Sequence, residues 1–328
     1  VKKARIALVI GVFCIAVFPI LVKLNLTPGV VSAFYRMFFS LILLLPYVLI
    51  TRKLKIPDLK TTALALLCGV IFGSDIAVWN IAIQGSTATQ ASLLTNLSPI
   101  WVGILALLFL KDKPKTNFWI GTLVAVLGMV LFVGFSVFKN LDFDKAFVFG
   151  ILSGAIYSFY MLLSKHVLKS MDIISFITIT LIASSVYLGI LSYAINEPFY
   201  GFSNTGWLVL VIQAVVCQLA AWLLISYATK HMRATRVSVS LLAQGILASI
   251  FAWLFIGETV TLQMVAGGIL LLIGIGITFI NKQLISIPKL KRTTFNHCKP
   301  EERNRKLRNF YPFKPSLIRI SNKKNASF

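Results

Sequence analysis

The second half of this chain repeats the first at a constant offset of 146 residues, with its basic loops moved to the opposite end of the repeat. Asn80–Asp112 aligns with Ser226–Glu258, so that Ala82, Ala88, Thr89, Ser92, Leu108 and Phe109 meet Ala228, Ala234, Thr235, Ser238, Leu254 and Phe255. The flanks do not match. The first copy opens on neutral Gln84, Gly85 and Ser86 and closes on Lys111, Lys113 and Lys115. The second opens on Lys230, Arg233 and Arg236 and closes on a lone acid, Glu258. In a bilayer, lysine and arginine stay on the cytoplasmic side. The two copies are therefore expected to lie in a membrane upside down relative to each other.

The composition agrees. Hydrophobic residues make up 58% of the 328 and charged residues 13%, where a soluble domain has about a quarter charged. The apolar residues fall into runs of the length a helix needs to cross ~30 Å of hydrocarbon. Ten spans are predicted, at 4–22, 29–50, 61–83, 88–110, 117–138, 147–165, 172–194, 205–228, 235–257 and 262–281. Nothing alternates over about ten residues, as membrane strands would. The expected fold is an all-α integral membrane protein, ten transmembrane helices in two inverted five-helix repeats. The first repeat occupies 1–140 and the second 145–281. A basic tail follows over 282–328, expected as a disordered cytoplasmic segment with little apolar periodicity, drawn to anionic headgroups.

Charge fixes the expected orientation. Outside the tail, fifteen basic residues fall on one side of the ten spans, against Lys23, Lys139 and Lys145 on the other. The larger set belongs in the cytoplasm, which places both termini there in a multi-pass protein of the cytoplasmic membrane. Lys2, Lys3 and Arg5 precede an apolar run without a cleavage pattern, so the first span reads as a retained helix.

Several function classes are excluded on chemical grounds. There is no Walker sequence to run an ATP-driven pump. An intramembrane aspartyl protease needs two buried aspartates and a serine protease a buried histidine. Only Asp75 is deep, and His166, His231 and His297 lie in cytoplasmic segments. The chain reads as no enzyme. Cys14, Cys68, Cys217 and Cys298 show no zinc spacing, and no metal or cofactor is expected. The tail's charge alone does not make a nucleic-acid partner. The partners expected are a small-molecule solute and membrane lipids, with a homodimer left open. Inverted repeats are characteristic of secondary transporters, whose substrate sites lie near the midplane at the repeat interface. A lipid flippase or a channel-like conduit is the alternative.

Intramembrane polar residues supply the candidate site. Arg36 in span two and Asp75 in span three each cost about 2.5–3.5 kcal/mol at a helix centre. At ~1.5 Å per residue they reach similar depths on consecutive antiparallel helices, which suggests an Arg36–Asp75 ion pair facing the bundle interior. In span four, Asn96 and Ser98 precede Pro99, where proline removes a backbone hydrogen bond and kinks the helix. Asn96 falls at the depth of Asp75. Trp79 is one turn from Asp75 on the same face. Tyr35, Tyr157, Gln218, Trp222 and Gln244 complete the candidate set, the glutamines because buried amides need partners. An aromatic, weakly charged cavity suits a zwitterionic or amphipathic metabolite. As the one deep carboxylate, Asp75 is where proton coupling would run.

The run Ala91-Ser92-Leu93-Leu94-Thr95-Asn96-Leu97-Ser98-Pro99-Ile100 resembles the EamA domain of the drug/metabolite transporter superfamily. So do Gly257-Glu258-Thr259, the Gly121/Gly128 and Gly267/Gly274 spacing, and Asp75, Trp79 and Asn80–Ala82 in span three. The resemblance covers about 4–281. It implies two inverted five-helix units, a central cavity, spans five and ten at the periphery, and movement of small organic solutes, with amino acids or related compounds foremost. Two departures stand out. Gln244-Gly245 occupies the region of the family's span-nine proline, which implies that the two halves kink unequally. Lys111-Asp112 replaces the Gly-Glu expected after span four.

Overall fold

The computed structural model describes residues 2–85, 97–109, 113–134, 145–256 and 260–280. Among the described residues there are helices and no strands, as a chain without water to satisfy its backbone requires. Span one is Lys2–Ile15 followed by Phe18–Lys23, span two Gly29–Ile50, span three Leu59–Gly85, and span four is described over Ser98–Phe109. Span five is Thr116–Val133, span six Lys145–Val167 and span seven Ile173–Ala194. Span eight runs from Asn204 to His231, and span ten is Leu262–Phe279. Span nine is Ala234–Ser240 and Ala243–Ile256. Nine of these helices are long and apolar enough to cross a membrane, and the described part of span four is a shorter apolar helix.

The packing is that of two interlocked repeats. Span three lies along span six, and span one along span eight. Span seven packs on span three, and span two on span eight. Span four packs on six, and span one touches span nine. Spans two and seven, and five and ten, pack on each other. Exchanging each span for the one five places on leaves this set of neighbours unchanged, which is the topology a two-fold between the halves demands.

Spans five and ten form a crossing of their own. A Cβ built on Gly121 would stand 2.6 Å from the Gly274 carbonyl oxygen. One on Gly128 would meet the backbone of Leu271, one on Gly267 the Phe132 backbone, and one on Gly274 the Ala125 backbone. Small residues let membrane helices approach this closely. Gly267→Ala is therefore expected to lower stability by about 1–3 kcal/mol through overpacking. Gly276→Ala, on the same helix with open space around it, should be neutral or slightly stabilising, because alanine is the better helix former. Thermal unfolding of the two variants in detergent checks the contrast.

Three interruptions were not legible beforehand. Span one breaks at Ala16-Val17, where Pro19 sits in the first turn of the following helix and has no amide to lose. Span eight is α-helical over Asn204–Ile212 and Ala221–His231 but π-helical over Gln213–Ala220. Span nine breaks at Leu241-Leu242, with Gln244 N–H donating to the Leu241 carbonyl and Gly245 N–H to the Leu242 carbonyl. Span nine therefore breaks without a proline. The second segment of span nine begins at Ala243, and at the 146-residue offset this matches Leu97, one residue before the described helix of span four. Pro99 stands in the first turn of that helix, a position proline tolerates. The segment over which it was expected to kink span four, including Asn96, lies outside the described residues.

Candidate functional site

Span two carries a polar stripe at four-residue spacing, Ser32, Arg36 and Ser40, and the stripe lies on the π-helical turn of span eight. Ser32 Oγ donates to Gln213 Oε1 at 3.1 Å. Arg36 Nε donates to Gln218 Oε1 at 2.9 Å, and Nη2 to the Cys217 carbonyl at 3.0 Å. Ser40 Oγ reaches the Ala214 carbonyl at 2.9 Å and shares its proton with the Arg36 carbonyl of its own helix. Residues four apart face the same way on a helix, so one face of span two serves one wider turn of span eight. Short π segments are frequent at functional sites. The Phe18 ring, delivered by the break in span one, lies 4.0 Å from the guanidinium carbon of Arg36. Arg36 is fully buried. Its charge is met by two oxygens and an aromatic face, an arrangement that suits the planar fork of arginine.

Asp75 is 5% exposed and accepts a hydrogen bond from Ser153 Oγ at 2.6 Å. This corrects the expected ion pair. Arg36 and Asp75 face one cavity, but they do not bond each other, because the guanidinium is already turned onto span eight and the carboxylate onto span six.

The cavity has a volume of about 50 Å³. At about 10–15 Å³ for each water centre, it has room for roughly three to five waters, the bulk of a small metabolite. Ile15 of span one and Trp222 of span eight line one side. Phe72, Asp75, Ile76 and Trp79 of span three, with Tyr157 of span six, line the other. Arg36 and Ser98 enter from spans two and four, and Ser238, Leu241, Leu242 and Gln244 from the broken region of span nine. Ser98 and Gln244 are equivalents at the 146-residue offset, so spans four and nine present matching positions to one space. The aromatic wall is continuous. Phe72 stacks on Tyr160 at 4.6 Å and meets Trp222 edge-on at 4.5 Å, and Tyr157 lies 6.3 Å from Trp222.

Among the described residues, four polar groups at this cavity are buried without a hydrogen-bond partner: Arg36 Nη1, Trp79 Nε1, Trp222 Nε1 and the Tyr157 hydroxyl. An orphaned buried donor costs about 1–3 kcal/mol, and such groups are rare unless something else comes to satisfy them.

Of the residues the sequence pointed to, Arg36, Asp75, Trp79, Tyr157, Trp222 and Gln244 line the cavity. Gln218 serves it indirectly, as the acceptor that holds Arg36. Tyr35 stands apart. Its hydroxyl donates to the Phe199 carbonyl at 2.6 Å, and its ring packs at 5.1 Å on Trp207, between span two and the start of span eight. Sequence reasoning missed Ser153, Phe18, Phe72 and Ser238. Ser153 sits between two glycines of span six and gave no signal of its own. Ser238 was visible only as the repeat partner of Ser92. Ser153→Ala removes a bond worth about 1.5–3 kcal/mol to a charged acceptor. It is expected to weaken solute handling about tenfold, while Ser153→Thr retains it. Uptake by cells producing each variant checks this.

Residues 2–134 and, separately, residues 144–280 match the EamA-like transporter family. The chain belongs to that family. This EamA-like transporter is a multi-pass membrane protein of two such repeats, and its cavity lies where the repeats meet. It is 27% identical over 250 residues to the uncharacterized transporter YdfC of Bacillus subtilis, covering 76% of this chain and 81% of that protein. An uncharacterized transporter of Archaeoglobus fulgidus is 28% identical over 245 residues, covering 74% and 83%. A shorter match, 31% identical over 101 residues, joins it to an S-adenosylmethionine uptake transporter of Rickettsia bellii, covering 30% of this chain and 34% of that one. A solved crystal structure superposes with a TM-score of 0.69 at 14% identity, over 85% of this chain and 97% of the other. That likeness bears on the fold alone.

Proposed function

We propose that this EamA-like transporter is a secondary transporter that moves a small zwitterionic metabolite across the cytoplasmic membrane by alternating access, with both termini in the cytoplasm. The observation that carries the reading is the content of the cavity. One cation, one carboxylate, two indole N–H groups and a phenol converge there, and four of these groups have unused hydrogen-bonding capacity. Arg36 Nη1 and the indoles suit the oxygens of a carboxylate. Asp75 suits a cationic group, and the faces of Trp222, Tyr157 and Phe72 add cation–π attraction, about 2 kcal/mol when desolvated. Amino acids and related compounds carry both ends. S-adenosylmethionine, named for the Rickettsia relative, carries the same amino-acid end, and its larger adenosine part would need the cavity opened. The site residues proposed are Asp75, Arg36, Trp79, Tyr157, Trp222 and Gln244, with Gln218 behind Arg36. Asn96 is retained from the sequence reading.

Ligand-induced stabilisation of the detergent-purified chain tests the polarity of the site. A ligand at a hundred times its dissociation constant stabilises by about 2.7 kcal/mol. Free α-amino acids and S-adenosylmethionine should include compounds that raise the melting temperature. The matching amides, which lack the carboxylate, and the N-acetyl forms, which lack the ammonium, should not. Equal stabilisation by the blocked forms would overturn the zwitterion assignment.

A further inference from the structure

Two lysines tie the same pair of helix layers together at opposite ends of the bundle. Lys165, in the last turn of span six, donates to the Thr229 carbonyl at 2.7 Å and to the Lys230 carbonyl at 2.8 Å, in the last turn of span eight. Lys23, the last residue of span one, donates to the Ile83 carbonyl at 3.4 Å, in the last turn of span three. Ile83 and Thr229 are equivalents at the 146-residue offset, and spans one and three are the repeat partners of six and eight. The acceptors are thus repeat equivalents, and the donors stand at the ends of partner helices, Lys23 itself aligning with Lys169. Spans one and three end at one face of the bundle and spans six and eight at the other, because an odd number of crossings separates them.

The helices involved are those that wall the cavity. Span one packs along span eight, and span three along span six. The Lys23 contact joins the one–eight pair to the three–six pair at one end, and the Lys165 contact joins the same two pairs at the other. An ammonium set against the last carbonyls of a helix is favoured by the dipole and by the unpaired acceptors there. Charge-assisted bonds of this kind are about twice as strong as neutral ones. At the Lys165 end, Lys230 Nζ adds a bond to the Met171 carbonyl, which ties span eight to the turn before span seven as well.

We propose that Lys23 and Lys165 are antipodal latches that close the two mouths of the cavity, and that the transport cycle opens one while the other holds. The proposal rests on the alternating-access reading given above. Both latches are engaged in this structure, as a state between the two open forms requires.

Sided labelling tests it without any solute. In a background with the native cysteines replaced, Ser238→Cys places a thiol at the cavity wall. Membrane-impermeant maleimide is applied to proteoliposomes of sorted orientation. Lys165→Met is expected to raise labelling from the Lys165 end and lower it from the Lys23 end, shifting the ratio about tenfold, the weight of a charged hydrogen bond. Lys23→Met should shift it the opposite way. Lys165→Arg keeps the charge and the donors and should retain the parent ratio, while Lys165→Gln should fall between. Unchanged ratios, or shifts in the same direction from both lysines, overturn the latch. Opposite shifts in a protein that carries no tested solute would keep the latch and sink the zwitterion reading. Solute movement with unshifted labelling would do the reverse.

Discussion

Replacing Arg36 by lysine is expected to abolish solute movement, although the charge is kept. The guanidinium serves Gln218 Oε1 and the Cys217 carbonyl together, and its central carbon lies over the Phe18 ring. An ammonium is a compact point charge on a flexible stem and does not reproduce that fork. Each acceptor left unserved in a buried site costs about 1–3 kcal/mol, and the loss of the stacked aromatic face adds to this. Arg36→Lys should therefore destabilise the protein by several kcal/mol, and Arg36→Met by at least as much, with transport reduced more than a hundredfold in both. Melting temperature and uptake rate measured on the same preparations check the two effects. Wild-type uptake by Arg36→Lys would show that the π-helical turn and its arginine do not shape the site.

Asp75→Asn should separate recognition from folding. The amide oxygen can still accept the Ser153 hydroxyl that now binds Oδ1 at 2.6 Å, so the packing of spans three and six is expected to survive and the melting temperature to move little. What disappears is the carboxylate of the cavity, and with it the partner for a cationic group inside an aromatic wall. A charged hydrogen bond of about 1.5–3 kcal/mol, together with the charge attraction in a low-dielectric site, predicts a loss of apparent affinity of a hundredfold or more. Solute-induced stabilisation, read beside the melting temperature of the unliganded variant, measures the two quantities independently. A variant that unfolds would point instead to a structural carboxylate.

Much of this architecture was legible in the sequence because membrane physics narrows the choices. Apolar run length and the charge-swapped repeat required ten helices in two inverted units. The glycine spacing of spans five and ten, which entered only through the family resemblance, sits at a crossing where the two backbones touch. Asp75 and Trp79 were expected on one face of span three, and both line the cavity. What the sequence could not show was the choice of partner for a buried polar group. Similar depth suggested that Arg36 and Asp75 would pair, but depth says nothing of rotation about the helix axis. The partners that won lie far away in sequence, Gln218 and Cys217 on span eight and Ser153 on span six. The π-helical turn has no compositional mark. The break in span nine was hidden because proline was taken as its cause, whereas Leu241-Leu242 break without one. Tyr35 was expected at the cavity as an aromatic within a span, yet its hydroxyl turns to the Phe199 carbonyl.

Counterflow in proteoliposomes tests the central claim, that the cavity between the two repeats is the path of a zwitterionic solute. Vesicles holding purified wild-type chain are loaded with one unlabelled amino acid or S-adenosylmethionine at a time and diluted into the labelled compound. Parallel vesicles hold Asp75→Asn. The account predicts transient accumulation of at least one such solute by the wild type and none by the variant. Accumulation to the same level by Asp75→Asn, or movement only of solutes lacking one of the two charges, would contradict it.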